Sequence, residues 1–512
     1  MKTYAIEMTV AVDAAGTLRT LYVSSGPLVT GPDDTPPHTA FMGRVQQPAL
    51  YRTDLWEPGT TGGASRVSTG EVVLVNVDEA LDDWIGYGWA GREIVLRVGE
   101  PGTAYPTAWS RVLTGTMEQA TFEGDRVVIR VRDRQAVLDV PASPNTYAGD
   151  NALPAGLEGG ADDLADQRKP RCWGLVRNVS PPCVNSARLI YQVSDGSVSS
   201  VDAVYDRGVA LTAGAVYASQ AEMETTAPAA GSYRVWPAGG YVRLGSLPAG
   251  QLTADVTATT GTTARAGSLL QSLALTAGLA AGDVSAADVS ALNAAAPYAL
   301  GLWLPSGDET TCRAAMDRVA ASVGAWWAFD SLGVLRMGQL VDPAGDVPAM
   351  AIESWQIMQI QRQAQRDAGA GVPAWRVTVN GNRNWSVQSD VAGAVTAARR
   401  TWLAMATRPQ RSAQASIKLQ HLQAADLVVD SLIDTLADAK LEAQRLLALY
   451  RVRRDMFEVR ISASASALAS LSPGCSVRLT WKRYGLQSGR MLRVLGVQLD
   501  LARERAYLTL WG

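Results

Sequence analysis

Thr3-Tyr4-Ala5-Ile6-Glu7-Met8-Thr9-Val10-Ala11-Val12 alternates along its length: Tyr4, Ile6, Met8, Val10 and Val12 fall on one face, and Thr3, Glu7 and Thr9 on the other. Successive side chains of an extended backbone point to opposite faces, so a period of two reads as a half-buried strand. Similar runs follow at 72–77, 93–98, 111–117 and 126–132. In the last of these, Val127, Ile129 and Val131 oppose Arg126, Arg130 and Arg132. A helical turn is expected over 78–84. Loops at 26–40 and 57–66 are rich in Pro, Gly and Thr. Residues 1–140 therefore read as a β-barrel-like or sandwich unit.

The pattern changes downstream. Residues 141–185 read as a linker or arm. Pro141, Pro144, Pro154 and Pro170 stand there among Gly and Asp residues without periodicity. Alternation returns in 186–260, a small β unit with strands expected at 189–193, 201–205, 241–244 and 252–257. Residues 261–345 read as an α+β unit. Its clearest helix spans 309–323, where Cys312, Ala315, Met316, Val319, Ala320 and Val323 share one face and Gly324 stands at the C-terminal end. Two strands joined by a turn at 330–333 follow it. Residues 346–512 read as a second β-barrel-like unit with one long helix at 434–450. There Trp375, Val377 and Val379 alternate ahead of a turn expected at Asn380-Gly381. Strands are expected at 456–463, 476–481, 491–499 and 506–511, the last tying the C-terminal end into a sheet. The fold class is thus mainly β with an α+β insertion, in several domains.

A chain of 512 residues, 47% hydrophobic and 19% charged, has ordinary globular composition and is too long for one core. Its most apolar stretch, 269–281, is interrupted by Gln271 and Ser272 and is too short for a membrane-spanning helix, so no membrane insertion is expected. Nothing at the start reads as a signal peptide, and folding in a cytoplasm is expected. The net charge of −3 argues against general nucleic-acid binding, which requires surplus cations. Of 46 basic residues only five are lysines. A GC-rich genome accounts for that bias, and bidentate pairing across interfaces is the sharper alternative. Fifteen tryptophans against four phenylalanines suit either a core or an interface, and Trp303, Trp326 and Trp327 stay open between the two.

Chemistry is sparse. The two histidines, His38 in a Pro-rich loop and His421 in a polar stretch, have no partner at metal spacing. No nucleophile elbow or phosphate-binding loop is present. The carboxylate pairs Asp33-Asp34, Asp82-Asp83 and Asp162-Asp163 read as caps and solvated faces. Cys172, Cys183, Cys312 and Cys475 are the one set able to hold a metal or iron–sulfur cluster. They lack a C-x-x-C pair, so small buried hydrophobes are the default reading. Of these, only Cys172 and Cys183 are placed to meet. No catalytic residue and no cofactor is expected, and the chain reads as a non-enzyme.

Two stretches carry a resemblance. The first is Lys169-Pro170-Arg171-Cys172-Trp173-Gly174, continuing through Leu189-Ile190-Tyr191-Gln192-Val193 to Asp202-Ala203-Val204-Tyr205-Asp206-Arg207-Gly208. The second runs from Trp481-Lys482-Arg483-Tyr484-Gly485-Leu486 through Leu495-Gly496-Val497 to Leu508-Thr509-Leu510-Trp511-Gly512. Together they resemble the tail-tip or baseplate hub proteins of long-tailed bacteriophages and prophages. That resemblance implies a virion protein of the tail, assembled in the bacterial cytoplasm as a homotrimer. Each chain would supply two tube-forming β-barrel-like domains, here 1–140 and 346–512, so that three chains meet a six-fold tail tube. Distal tail protein, tape measure protein and other baseplate or tail-fibre proteins would be its partners. DNA would pass through the ring without specific binding. The alternative is a receptor- or carbohydrate-binding tail protein, which tryptophan-rich β domains permit.

Overall fold

The computed structural model describes residues 2–363, 372–500 and 503–512. The alternating segments form strands at Thr3–Ala11, Glu93–Gly99, Ser110–Phe122 and Arg126–Arg132. They belong to one 14-stranded sheet drawn from both ends of the chain. From one edge its order is Leu18–Ser24, Thr3–Ala11, Glu93–Gly99, Ser110–Phe122, Arg126–Arg132, Thr69–Val75 and Tyr51–Asp54. It then crosses to the C-terminal strands Arg490–Asp500, Arg505–Trp511, Met456–Ser462 and Ile357–Gln363. Val45–Gln47, Ser476–Leu479 and Met350–Ile352 branch from this path. The chain is mainly β, in several sheets, and none of them closes into a barrel among the described residues. Alternation fixes which side chains face inward, but not whether the first and last strands of a unit meet. Each half of the long sheet keeps its own apolar cluster. One holds Ile6, Met8, Val72, Leu74 and Ile129; the other holds Phe457, Val459, Val477, Leu492 and Leu508.

In chain order, helices follow the N-terminal half of the sheet. Ala266–Thr276, Ala286–Ala295 and Cys312–Ala321 pack with the hairpin Ala325–Phe329 and Leu335–Gln339. Thr311 caps the last helix, its Oγ1 accepting from Ala314 N at 3.2 Å. Gly324 follows at φ +58°, a conformation that favours glycine. Residues 374–450, grouped on sequence with the C-terminal unit, share this core. Val377 and Val379 of strand Ala374–Gly381, with Ala439, Ala443 and Leu446 of helix Leu436–Tyr450, cluster with Val319, Val323 and Trp327. A helix's apolar face shows that it packs, not against which distant segment.

The turn expected at Asn380-Gly381 is not a hairpin. Strand Ala374–Gly381 runs through both residues and pairs with Arg408–Ala413 and Ala425–Asp430. Gly381 serves close packing instead: a Cβ there would come within 2.9 Å of Ala439 Cβ. The segment 141–185 also differs from a plain linker, because Arg171–Val179 is a strand joining Leu252–Thr257 to Gly301–Leu304. Gly174 at φ +66° and Asn178 at φ +58° break its alternation, which hid it in the sequence. Upstream, Tyr147, Leu157 and Leu164 are buried against Ile190, Tyr217 and Tyr241. No helix among the described residues is long and apolar enough to cross a membrane.

Candidate assembly surface

The two halves of the long sheet meet at a short antiparallel seam. Tyr51–Asp54 pairs with Arg490–Asp500 in the register Tyr51 to Leu499, Arg52 to Gln498, Thr53 to Val497 and Asp54 to Gly496. Leu55 N extends it, donating to Leu495 O at 2.8 Å. A bulge between Val494 and Gly496 sets Gly496 against the buried Asp54 carboxylate. Arg52 grips that carboxylate at 2.7 Å and Arg66 reaches it at 3.3 Å. Beneath the seam, Leu55 and Trp56 cluster with Trp326, Leu340, Leu449, Met456, Leu495 and Trp511. The seam is thereby pinned to the helical region as well as to both sheet halves.

One face of the sheet is polar across the seam. Direct cross-strand partners run Gln359, Arg460, Tyr507, Gln498, Arg52, Thr69, Arg132, Thr116 and Glu93. All nine are exposed or half-buried. Opposite neighbours in a ladder point the same way, so these residues form one polar row across nine strands. Two of its three arginines, Arg52 and Arg132, are ion-paired. Arg132 meets Glu118 at 2.5 Å, Arg130 of the same face approaches Glu71 at 3.8 Å, and Arg460 stacks on Tyr507 at 5.0 Å. These are screened surface pairs, whose effect is on local charge balance more than on stability.

Both ends of the sheet are edges. At one end, the 40–42 segment covers part of Leu18–Ser24: Ser24 N donates to Met42 O and Met42 N to Tyr22 O, at 2.7 and 3.0 Å. At the other end, no strand among the described residues pairs with the outer side of Ile357–Gln363. Trp355 and Met358 stand exposed beside that edge, at 81% and 50%. An open edge with exposed apolar groups is a template for strand pairing with another chain.

Comparison with solved structures finds chains of similar extent, among them the following three. The 43 kDa tail protein of prophage MuSo2 from Shewanella oneidensis aligns at 11% identity over 99% of this chain and 98% of that one, with a TM-score of 0.41. The tail protein from Neisseria meningitidis MC58 aligns at 11% identity over 99% and 96%, also at 0.41. A chain of the virion of a native gene transfer agent particle aligns at 17% identity over 73% and 91%, at 0.42. No family model and no curated protein matches the sequence.

The residues singled out for chemistry are scattered. Cys172 and Cys183 belong to the core of the small β sheets, Cys312 to the helical core and Cys475 to the C-terminal cluster, and all four are free thiols. Burial pushes the Cys312 thiol up to about 11, so it stays protonated at neutral pH. The four cysteines sit in three separate cores. Among the described residues no three His, Cys, Asp or Glu side chains converge as a metal site. His38 is exposed in its loop and His421 ends a short helix, far apart in the chain's order. Asp34 binds the backbone N–H groups of Gly31 and Tyr105 at 2.6 and 2.8 Å. Trp303, Trp326 and Trp327 are all buried within the chain. The polar row escaped sequence reading. Each polar position is visible in its own strand, but the register that aligns them depends on pairings between residues hundreds of positions apart.

Proposed function

We propose that this chain is a structural subunit of a phage-type tail tip or baseplate, a homotrimeric hub whose long sheet forms part of a tube wall. The observation that carries the reading is the Tyr51–Asp54 to Arg490–Asp500 seam, which makes one polar-faced sheet from the two ends of the chain. The resemblance of the Lys169–Gly174 and Trp481–Gly512 stretches to hub proteins points the same way. In this arrangement each copy supplies two sheet halves, and the open edges of successive copies pair until the ring closes and leaves no edge exposed. The polar row faces the lumen. Arg52 and Arg132 are ion-paired, which leaves Arg460 as the one arginine of the row without a carboxylate among the described residues, so DNA slides past rather than binding. The outer surfaces take up distal tail, tape measure and other baseplate or tail-fibre proteins. The role is mechanical, and no residue is assigned a catalytic part.

The test is an electron-microscopy map of particles that contain the subunit, together with mass measurement of the purified chain. Three copies around the tail axis, with Ile357–Gln363 at a boundary between copies, is the expected result. A subunit found off the axis, or a strict monomer that binds surface polysaccharide, would overturn it.

A further inference from the structure

Two arginines, Arg318 and Arg383, share the indole of Trp385. Arg383 lies over the Trp385 ring at 4.7 Å and Arg318 at 5.9 Å from its centroid. Trp303 meets the same ring edge-on at 6.2 Å. Neither arginine has a carboxylate within ion-pairing distance among the described residues, although most arginines at the sheet face do. Arg383 Nε and Trp303 Nε1 are buried N–H donors without an acceptor. Asp308 forms no ion pair with Arg318 and accepts from Thr310 N at 2.7 Å. Arg318 sits in the last turn of Cys312–Ala321, where a cation is favoured by the helix dipole, yet donates to none of its carbonyls. Burial and the nearby Arg383 both push Arg318 below the usual guanidinium range.

Like charges, half-buried and without acceptors, are costly unless a counter-charge joins them. The indole offsets part of that cost through cation–π attraction but offers no acceptor for the N–H groups. We propose that Arg318, Arg383 and Trp385 form a binding site for one oxyanion, a phosphate- or carboxylate-type group whose oxygens fit the guanidinium donors. Trp385 packs against the helical core and the core of the small β sheets, and the proposal does not depend on the tail-tip reading.

The experiment titrates the full-length protein with inorganic phosphate and, separately, with acetate, by calorimetry and by thermal unfolding in an otherwise oxyanion-free buffer. The wild-type chain is expected to give saturable binding and a rise in Tm with one or both anions. Arg383→Gln and Arg318→Gln should each weaken it at least tenfold, while Arg19→Gln, which removes one exposed charge elsewhere, leaves it unchanged. A response to phosphate alone assigns a phosphate-type ligand, and a response to acetate a carboxylate, such as an acidic side chain of a neighbouring protein. Without anion, Arg383→Gln should unfold no earlier than wild type, because it relieves repulsion. Absence of saturable binding of either anion, or equal binding by all three variants, overturns the proposal.

Discussion

Gly496 stands opposite Asp54 in the ladder that joins the two ends of the chain, and the Asp54 carboxylate fills the space a Cβ on Gly496 would need. The glycine is therefore required by a buried carboxylate rather than by a turn. Replacing it displaces the acid that holds Arg52 and Arg66.

Gly496→Ala is expected to destabilise the chain by about 1–3 kcal/mol, the range for disturbing a buried charged hydrogen-bond network. Urea unfolding of the purified chain measures it. If the tube-wall reading holds, the variant also assembles less well than its loss of stability alone explains, because the seam would then lie in the wall.

Gly301 makes a harsher case. It pairs with Gly174, and a Cβ on it would overlap the carbonyl oxygen of Leu175, a backbone atom that cannot swing aside. Gly301→Ala should cost more than Gly496→Ala, about 3 kcal/mol or above, since the strand itself must move. Equal midpoints for the two variants would show that the Arg171–Val179 strand is looser than its packing indicates.

A pH effect follows from Asp317. Its Oδ1 accepts from Ser65 N and from Trp327 Nε1, both at 3.0 Å, tying the 57–68 loop to the helical core. Burial pushes this carboxyl up from 3.8 to about 6. A raised folded-state pKa means that the folded chain binds the proton more tightly than the unfolded chain. That contribution is fully present below about pH 4 and is lost as pH rises through about 6, amounting to roughly 3 kcal/mol. Asp133, which accepts from Ser68 N at 2.7 Å and is pushed up to about 6 by burial, acts in the same direction. Asp317→Asn keeps an acceptor without the charge. It should reduce the fall in stability between pH 4 and 6 and match or exceed wild type at pH 7. Chemical denaturation at four pH values checks this, and an unchanged slope would rule it out.

The free edge offers a test of assembly. Met358→Lys adds a charge beside Ile357–Gln363 at a half-exposed position, where little stability is at stake. The folded monomer should unfold within about 0.5 kcal/mol of wild type. The proposed trimer should weaken by an order of magnitude or more in mass photometry. Trimers of unchanged affinity would place the contact between copies elsewhere.

The sequence determined the elements. Arg126–Arg132, Tyr241–Leu244 and Leu252–Thr257 have the bounds that their periodicity implied, because side-chain alternation is a local property of the backbone. Where a residue with positive φ broke the pattern, as Gly174 does, the strand was lost to view. Tertiary structure alone decided what the elements join. It set Gly496 on Asp54, gave the helix Leu436–Tyr450 to the central core, and aligned Gln359 with Arg460, Tyr507 and Arg52 in one polar row. Those outcomes depend on register and contact between segments distant in the chain. Such contacts are selected by packing of whole faces, which no single stretch of residues encodes.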